Sequence, residues 1–242
     1  MTPAILILLF SKAASAASTG SLLGISLVDS KAGSSIGVPM QITILMTLLA
    51  LLPAAIMSVT PFLRISIVLH FLRQALGTQT IPSNQVLVGL SMFLTMIIVG
   101  PVFAQIHANA WVPMERGKIT QEQAIEEAGK PIKVFLAKYA REKDIKLFLE
   151  IAHASPPRTP DDLELKVLIP AYIISELKTG FQIGAVLFLP FLVIDIVVAS
   201  VTLSIGMVQL PPVMLSAPFK ILLFVLVDGW NLLIGSLIKS FY

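Results

Sequence analysis

The sequence predicts an all-α integral membrane protein. It has four long, kinked apolar helical blocks arranged as helical hairpins, with a small helical polar domain between the second and third. Three observations carry this. Of 242 residues, 56% are hydrophobic and only 13% are charged, about half the charged share usual in a soluble domain. The mean hydropathy is +0.89. Most of the Lys, Arg, Asp and Glu residues are confined to Glu115–Lys166, so the rest of the chain is poor in charge over stretches long enough to cross a bilayer.

The chain begins with "AILILLF" (Ala4 to Phe10), a short apolar core, followed by the small residues Ala14, Ser15 and Ala16. This is the pattern of a cleaved signal peptide over residues 1–16, although Lys12 follows the apolar core where a leader would carry its charge before it. Residues 17–41, rich in Gly and Ser, read as a linker.

The apolar blocks run from Ile42 to Met57, Val86 to Ile106, Phe181 to Val208 and Val213 to Ile238. Each contains a proline: Pro53, Pro101, Pro190 and Pro218. Proline removes a backbone donor and tends to kink a helix. Backbone groups freed within lipid must find partners in protein or water. The blocks are therefore expected to be bent helices packed against other helices or subunits. Blocks one and two with their connection make a segment over 42–106, and blocks three and four a hairpin over 181–242. Arg64 and Arg73 flank the first connection, with no acidic residue between Asp29 and Glu115, which places that connection in the cytoplasm.

The polar domain, residues 107–180, is then periplasmic. "TQEQAIEEAG" offers Thr120 and Gln123 as a capping box and Gly129 as a helix end. Apolar residues recur at helical spacing, first at Ile132, Phe135, Leu136 and Tyr139, then at Ile145, Phe148, Leu149 and Ala152. In "RTPDD", Thr159 suits an N-cap with Pro160 at the first helical position.

Little here speaks for an enzyme. His70, His107 and His153 are scattered, without a second His or a carboxylate at metal-ligand spacing. Gly33 to Gly37 spells G-x-S-x-G but lies in the Gly- and Ser-rich linker and not at a strand-to-helix elbow, and there is no glycine-rich phosphate loop. With no cysteine, thiolate metal sites and disulfides are excluded. No metal, catalytic residue or cofactor is expected. A net charge of +3 is too small and too scattered for a nucleic-acid surface.

Four charges stand in apolar surroundings: Glu176, Asp195, Lys220 and Asp228. A charge at the centre of a spanning helix costs about 2.5–3.5 kcal/mol on insertion scales, so these residues face protein or water and pair. A structural ion pair that fixes helix register and a proton or ion relay both fit. In the last two blocks two acids and one lysine leave one acid over, free to be protonated, to meet water or to meet a partner chain.

Three stretches carry a resemblance: "RISIVLHFLRQALGTQTIPSNQVLVGLSMFLT", "FLPFLVIDIVVAS" and "LPPVMLSAPFKILLFVLVDGWNLLIGSL". From about Ile42 to Tyr242 the sequence closely resembles the FliP family of flagellar biosynthetic proteins. Injectisome-type secretion gate subunits share the motifs but generally lack a leader, so the N-terminal pattern favours the flagellar branch. The resemblance implies a pore-forming subunit of the flagellar type III export gate in the bacterial inner membrane, passing unfolded flagellar subunits. It implies a pentamer that assembles with FliQ and FliR, and works alongside FlhA, FlhB and FliO. It also implies roles for particular residues. Glu176 and Lys220 match intersubunit salt-bridge positions, and Phe135 and Phe148 match positions tied to self-association. Met207, Val208 and Gln209, within the loop 206–212, match a gate loop. Relatives often carry three methionines in that loop, whereas "GMVQLPP" keeps one. From the residues alone, an ion-coupled small-molecule transporter using Asp195 and Glu176 is the alternative, and a structural scaffold a third class.

Overall fold

The computed structural model describes residues 21–22, 25–26, 38–78, 80–154, 162–206 and 211–241. The expected cleavage site, most of the linker, the Thr159–Pro160 cap and the gate-loop residues Met207, Val208 and Gln209 lie outside the described residues. The chain divides into two compact units, Met1–Pro53 and Ala54–Tyr242.

In the first unit, β1 (Ser21–Leu22) and β2 (Ile25–Ser26) form a two-residue antiparallel ladder. Helix α1 (Val38–Ser58) begins in this unit and continues through Pro53. Its large apolar residues stand exposed, Leu51 at 60% and Met46 at 58%. It is long and apolar enough to cross a membrane.

The second unit opens with a helix where only a connection was expected. Helix α2 (Phe62–Ala75) buries Arg64, Ile65, Val68, Leu69, Leu72 and Ala75, a stripe at helical spacing. Next, α3 (Asn84–Ile106) runs through a π-helical turn, His107–Trp111, into the short α4 (Val112–Glu115). The run from Asn84 to Glu115 qualifies as one apolar span.

The polar segment forms α5 (Gln121–Tyr139) and α6 (Glu142–Ile151). Thr120 caps α5 with the expected box: its hydroxyl accepts from the Gln123 N–H, and the Gln123 side chain accepts from the Thr120 N–H. The helix does not end at Gly129. It continues through Gly129 and Pro131, because the stripe beyond them, centred on Leu136, is buried against the next long helix. Packing of that face outweighs the local cost of glycine and proline.

Helix α7 (Leu165–Ser204) is a single 40-residue helix containing Pro170 and Pro190. It passes without a break across the boundary expected at residue 180. Its first turns carry the polar segment and its later turns form the third apolar block. Helix α2 lies along it, and the approach depends on missing side chains. A Cβ on Gly184 would fall 2.6 Å from the Phe71 ring, and one on Gly180 would fall 3.3 Å from Ile67.

The fourth block is two helices, α8 (Pro212–Leu226) and α9 (Gly229–Lys239), bent by 67°. The break falls at Val227–Asp228, not at Pro218, which α8 incorporates. Among the described residues the architecture is thus helical with three candidate spans, or four if the bent pair is one. One apolar core joins α2, α3, α7, α8 and α9, and a second lies between α5, α6 and the start of α7.

Candidate functional site

Among the described residues, two ion pairs lie among the apolar helices. In the first, Arg64 on α2 grips Glu176 on α7. Its Nε donates to Glu176 Oε2 at 3.0 Å, and its Nη2 donates to Oε1. This two-pronged geometry is the strong form of a guanidinium–carboxylate contact. Arg64 and Glu176 are 3% and 0% exposed. The segment after α9 closes the pair. Arg64 Nη1 donates to Ser240 Oγ at 3.1 Å, and its guanidinium sits 3.9 Å from the Phe241 ring centre. The Tyr139 hydroxyl, from the end of α5, donates to the Phe241 carbonyl. One buried centre therefore ties together α2, α5, α7 and residues 240–241.

In the second pair, Lys220 on α8 donates to Asp195 Oδ2 on α7 at 2.6 Å, and the Ser216 hydroxyl donates to Oδ1. The lysine side chain is 2% exposed and the aspartate side chain 21%. Serine and lysine are one helical turn apart on α8, so both reach the same carboxylate. Beside the pair is an apolar groove of about 580 Å³, bounded by Ile194, Val198, Leu215 and Phe219.

A third polar cluster fastens the polar segment to α7. Arg141 Nε donates to Asp144 Oδ2 at 2.8 Å, the Ser175 hydroxyl donates to the same oxygen at 2.7 Å, and the Arg141 backbone N–H donates to Ser175 Oγ at 2.9 Å. Burial works against the Asp144 carboxylate, but the Ser175 hydroxyl and the Arg141 guanidinium together outweigh it. The carboxyl is held below its usual range.

Within one chain, Glu176 and Lys220 are not each other's partners. Each has a different one, Arg64 and Asp195 respectively. Asp195 is half-buried, whereas Asp228, expected among the buried charges, is exposed at the break between α8 and α9. Phe135 and Phe148 are half-buried and pack into the core between the polar segment and α7. The Phe135 ring lies 5.0 Å from Tyr139 and 6.2 Å from Tyr172.

Sequence reasoning missed Arg64, treating it as a topology signal, and missed the Asp144–Ser175 contact. For Arg64 a signal was present, since it heads the stripe Ile65, Val68, Leu69 and Leu72. Asp144 and Ser175 are thirty-one positions apart, and no spacing rule joins them. Among the described residues no group of three or more His, Cys, Asp or Glu could hold a metal ion.

These features define a multi-pass helical membrane protein whose interior charges are tied to one another. The family model for the FliP family matches residues 45–237, and the chain belongs to that family. The flagellar biosynthetic protein FliP of Pectobacterium carotovorum subsp. carotovorum is 48% identical over 210 residues, covering 87% of this chain and 81% of the relative. That of Bacillus subtilis (strain 168) is 46% identical over 217 residues, covering 90% and 98%. Membership makes the chain a membrane component of flagellar biosynthesis and export.

Proposed function

We infer that the chain is a pore-forming subunit of the flagellar type III export gate, present in several copies and passing unfolded flagellar subunits across the inner membrane. It works without a cofactor, as a structural part and not as an enzyme. Its partners are further copies of itself, FliQ and FliR, with FlhA, FlhB and FliO acting beside them. The observation that carries this reading is the family match across residues 45–237. The apolar surface supports it: Val186 is 66% and Leu226 74% exposed, and such faces need lipid or neighbouring subunits to cover them.

The polar segment faces the periplasm in this reading and contributes to self-association. Phe135 and Phe148 shape its contact face from behind, while Val134, Leu147 and Ile151, exposed at 55%, 45% and 62%, touch the neighbour. Glu176 and Lys220 of adjacent copies pair only by exchanging their present partners. Met207, Val208 and Gln209 line the gate. Native mass spectrometry of the detergent-extracted complex tests the reading. Several copies of this chain together with FliQ and FliR are expected, and a chain recovered only as a monomer without them overturns it.

A further inference from the structure

Two side-chain hydroxyls inside the second unit are buried without a partner. Thr60 Oγ1 and the Tyr172 hydroxyl are shielded from solvent, and neither makes a hydrogen bond with any described residue. Tyr172 as a whole is 0% exposed. A buried hydroxyl that makes no hydrogen bond is costly, and native interiors leave few polar groups in that state.

The packing of α2 on α7 sets these two residues opposite each other. Arg64 meets Glu176, Ile67 faces Gly180 and Phe71 faces Gly184. Residue numbers rise together along both helices, so the helices run parallel. One turn before the Arg64–Glu176 contact, the same register brings Thr60 to Tyr172, a pair separated like Arg64 and Glu176 by 112 positions. Val59 packs against the buried cluster that contains Tyr172, so the chain just ahead of α2 does lie on that part of α7. The start of α2 adds a third group. Its N-cap, Pro61, supplies no side-chain hydrogen bond, and the N–H groups of Leu63 and Arg64 have no backbone acceptor among the described residues. First-turn N–H groups of a helix need a partner from outside it.

We infer that this point is a binding site for one water molecule, held by Thr60 Oγ1, the Tyr172 hydroxyl and a first-turn N–H of α2. The chemistry of the three groups selects water. A backbone N–H only donates, whereas each hydroxyl both donates and accepts. Water accepts from the N–H and from one hydroxyl and donates to the other, and about three hydrogen bonds are usual for a buried water. An anion only accepts, and it would stand one turn from the buried carboxylate of Glu176. A side chain of another subunit does not reach the site, because Tyr172 has no exposed surface. The bound water fastens the segment just ahead of α2 to α7, one helical turn from the Arg64–Glu176 pair.

The test is a density map of the full chain at a resolution that shows ordered waters, paired with a double-mutant cycle on denaturant unfolding of the detergent-solubilised chain. The expected map has a peak about 2.7–3.2 Å from both hydroxyl oxygens. Tyr172→Phe and Thr60→Val each remove one hydroxyl with little change of shape. Each should raise the unfolding equilibrium constant about tenfold, because the remaining hydroxyl loses its partner. The double variant should be about as stable as either single one, since it leaves no hydroxyl unsatisfied and the two sites share one ligand. Thr60→Ser keeps the oxygen and should stand closer to the unaltered chain than Thr60→Val does. Single changes that stabilise the chain or leave it unaffected overturn the inference. So do two losses that multiply in the double variant, which give each hydroxyl a partner of its own. A map with no peak at the site, or with the two hydroxyls bonded directly to each other, overturns it as well. Stability that falls when chloride in the buffer is replaced by gluconate assigns the site to an anion and also overturns it. The map of the unaltered chain decides the matter even where a variant does not fold.

Discussion

Replacing Arg64 tests the buried centre most sharply. Its guanidinium holds Glu176 by two hydrogen bonds, holds Ser240, and lies 3.9 Å from the Phe241 ring centre. Arg64→Ala leaves Glu176, at 0% exposure, as an uncompensated charge, which costs about 3–5 kcal/mol. The lost contact with Phe241 adds about 1–2 kcal/mol, since the cation there is desolvated. Against a total stability of about 5–15 kcal/mol typical of a domain, this is enough to unfold part of the chain. Arg64→Lys keeps the charge but loses the fork, and falls between. The double change Arg64→Met with Glu176→Leu removes both charges together and should recover most of the loss. The assay is denaturant unfolding of the detergent-solubilised, unassembled chain, followed by the fluorescence of its two tryptophans. An Arg64→Ala effect below about 0.5 kcal/mol, the range of an ordinary surface change, refutes the reasoning. So does a double variant as unstable as the two single changes summed. A Glu176 that pairs chiefly with Lys220 of another copy would instead show its loss only in the assembled complex.

Other predictions follow from the same contacts. Gly184→Ala sets a Cβ 2.6 Å from the Phe71 ring and should cost about 1–3 kcal/mol by overpacking, partly relieved by Phe71→Leu in the same unfolding assay. Asp144 is held below its ordinary value of 3.8, so its contribution is complete above that value and fades as pH drops toward the lower folded-state value. Protease resistance of α5 and α6 should weaken over that range in the unaltered chain, and Asp144→Asn should already be weaker at neutral pH and lose the dependence. Val134→Asp with Leu147→Asp should reduce oligomers on native gels without unfolding the chain. Phe135→Ala, by contrast, should lower the stability of the chain itself.

Hydropathy made the long helices legible, because twenty consecutive apolar residues leave few alternatives. The capping box at Thr120 and Gln123 was readable for the same kind of reason: it is a local contact between residues three apart. Helix ends were less readable. Gly129 and Pro131 signal a stop, but the face formed by Leu136 and its neighbours gains more by packing on α7 than the breakers lose. The bend in the fourth block went to Val227–Asp228, where Asp228 takes a left-handed backbone and the Phe224 ring lies close to Gly229, and not to Pro218, which a helix can absorb. Charge partners were the least legible. Composition shows that Glu176 and Lys220 need partners, but Arg64 lies 112 positions from Glu176 and Asp195 lies 25 from Lys220. Only the lateral packing of α2 and α8 on α7 selects them.

Substrate passage is the central claim, and a stalled export substrate tests it most directly. A flagellar subunit fused to a domain that cannot unfold is held in transit, with a photo-reactive amino acid placed in turn at Met207, Val208 and Gln209. Cross-links from these positions to the stalled chain, lost when the substrate lacks its export signal, are the predicted result. A fully assembled complex in which the stalled substrate cross-links only to other subunits, from these positions and from sites along α7 and α8, would contradict the account.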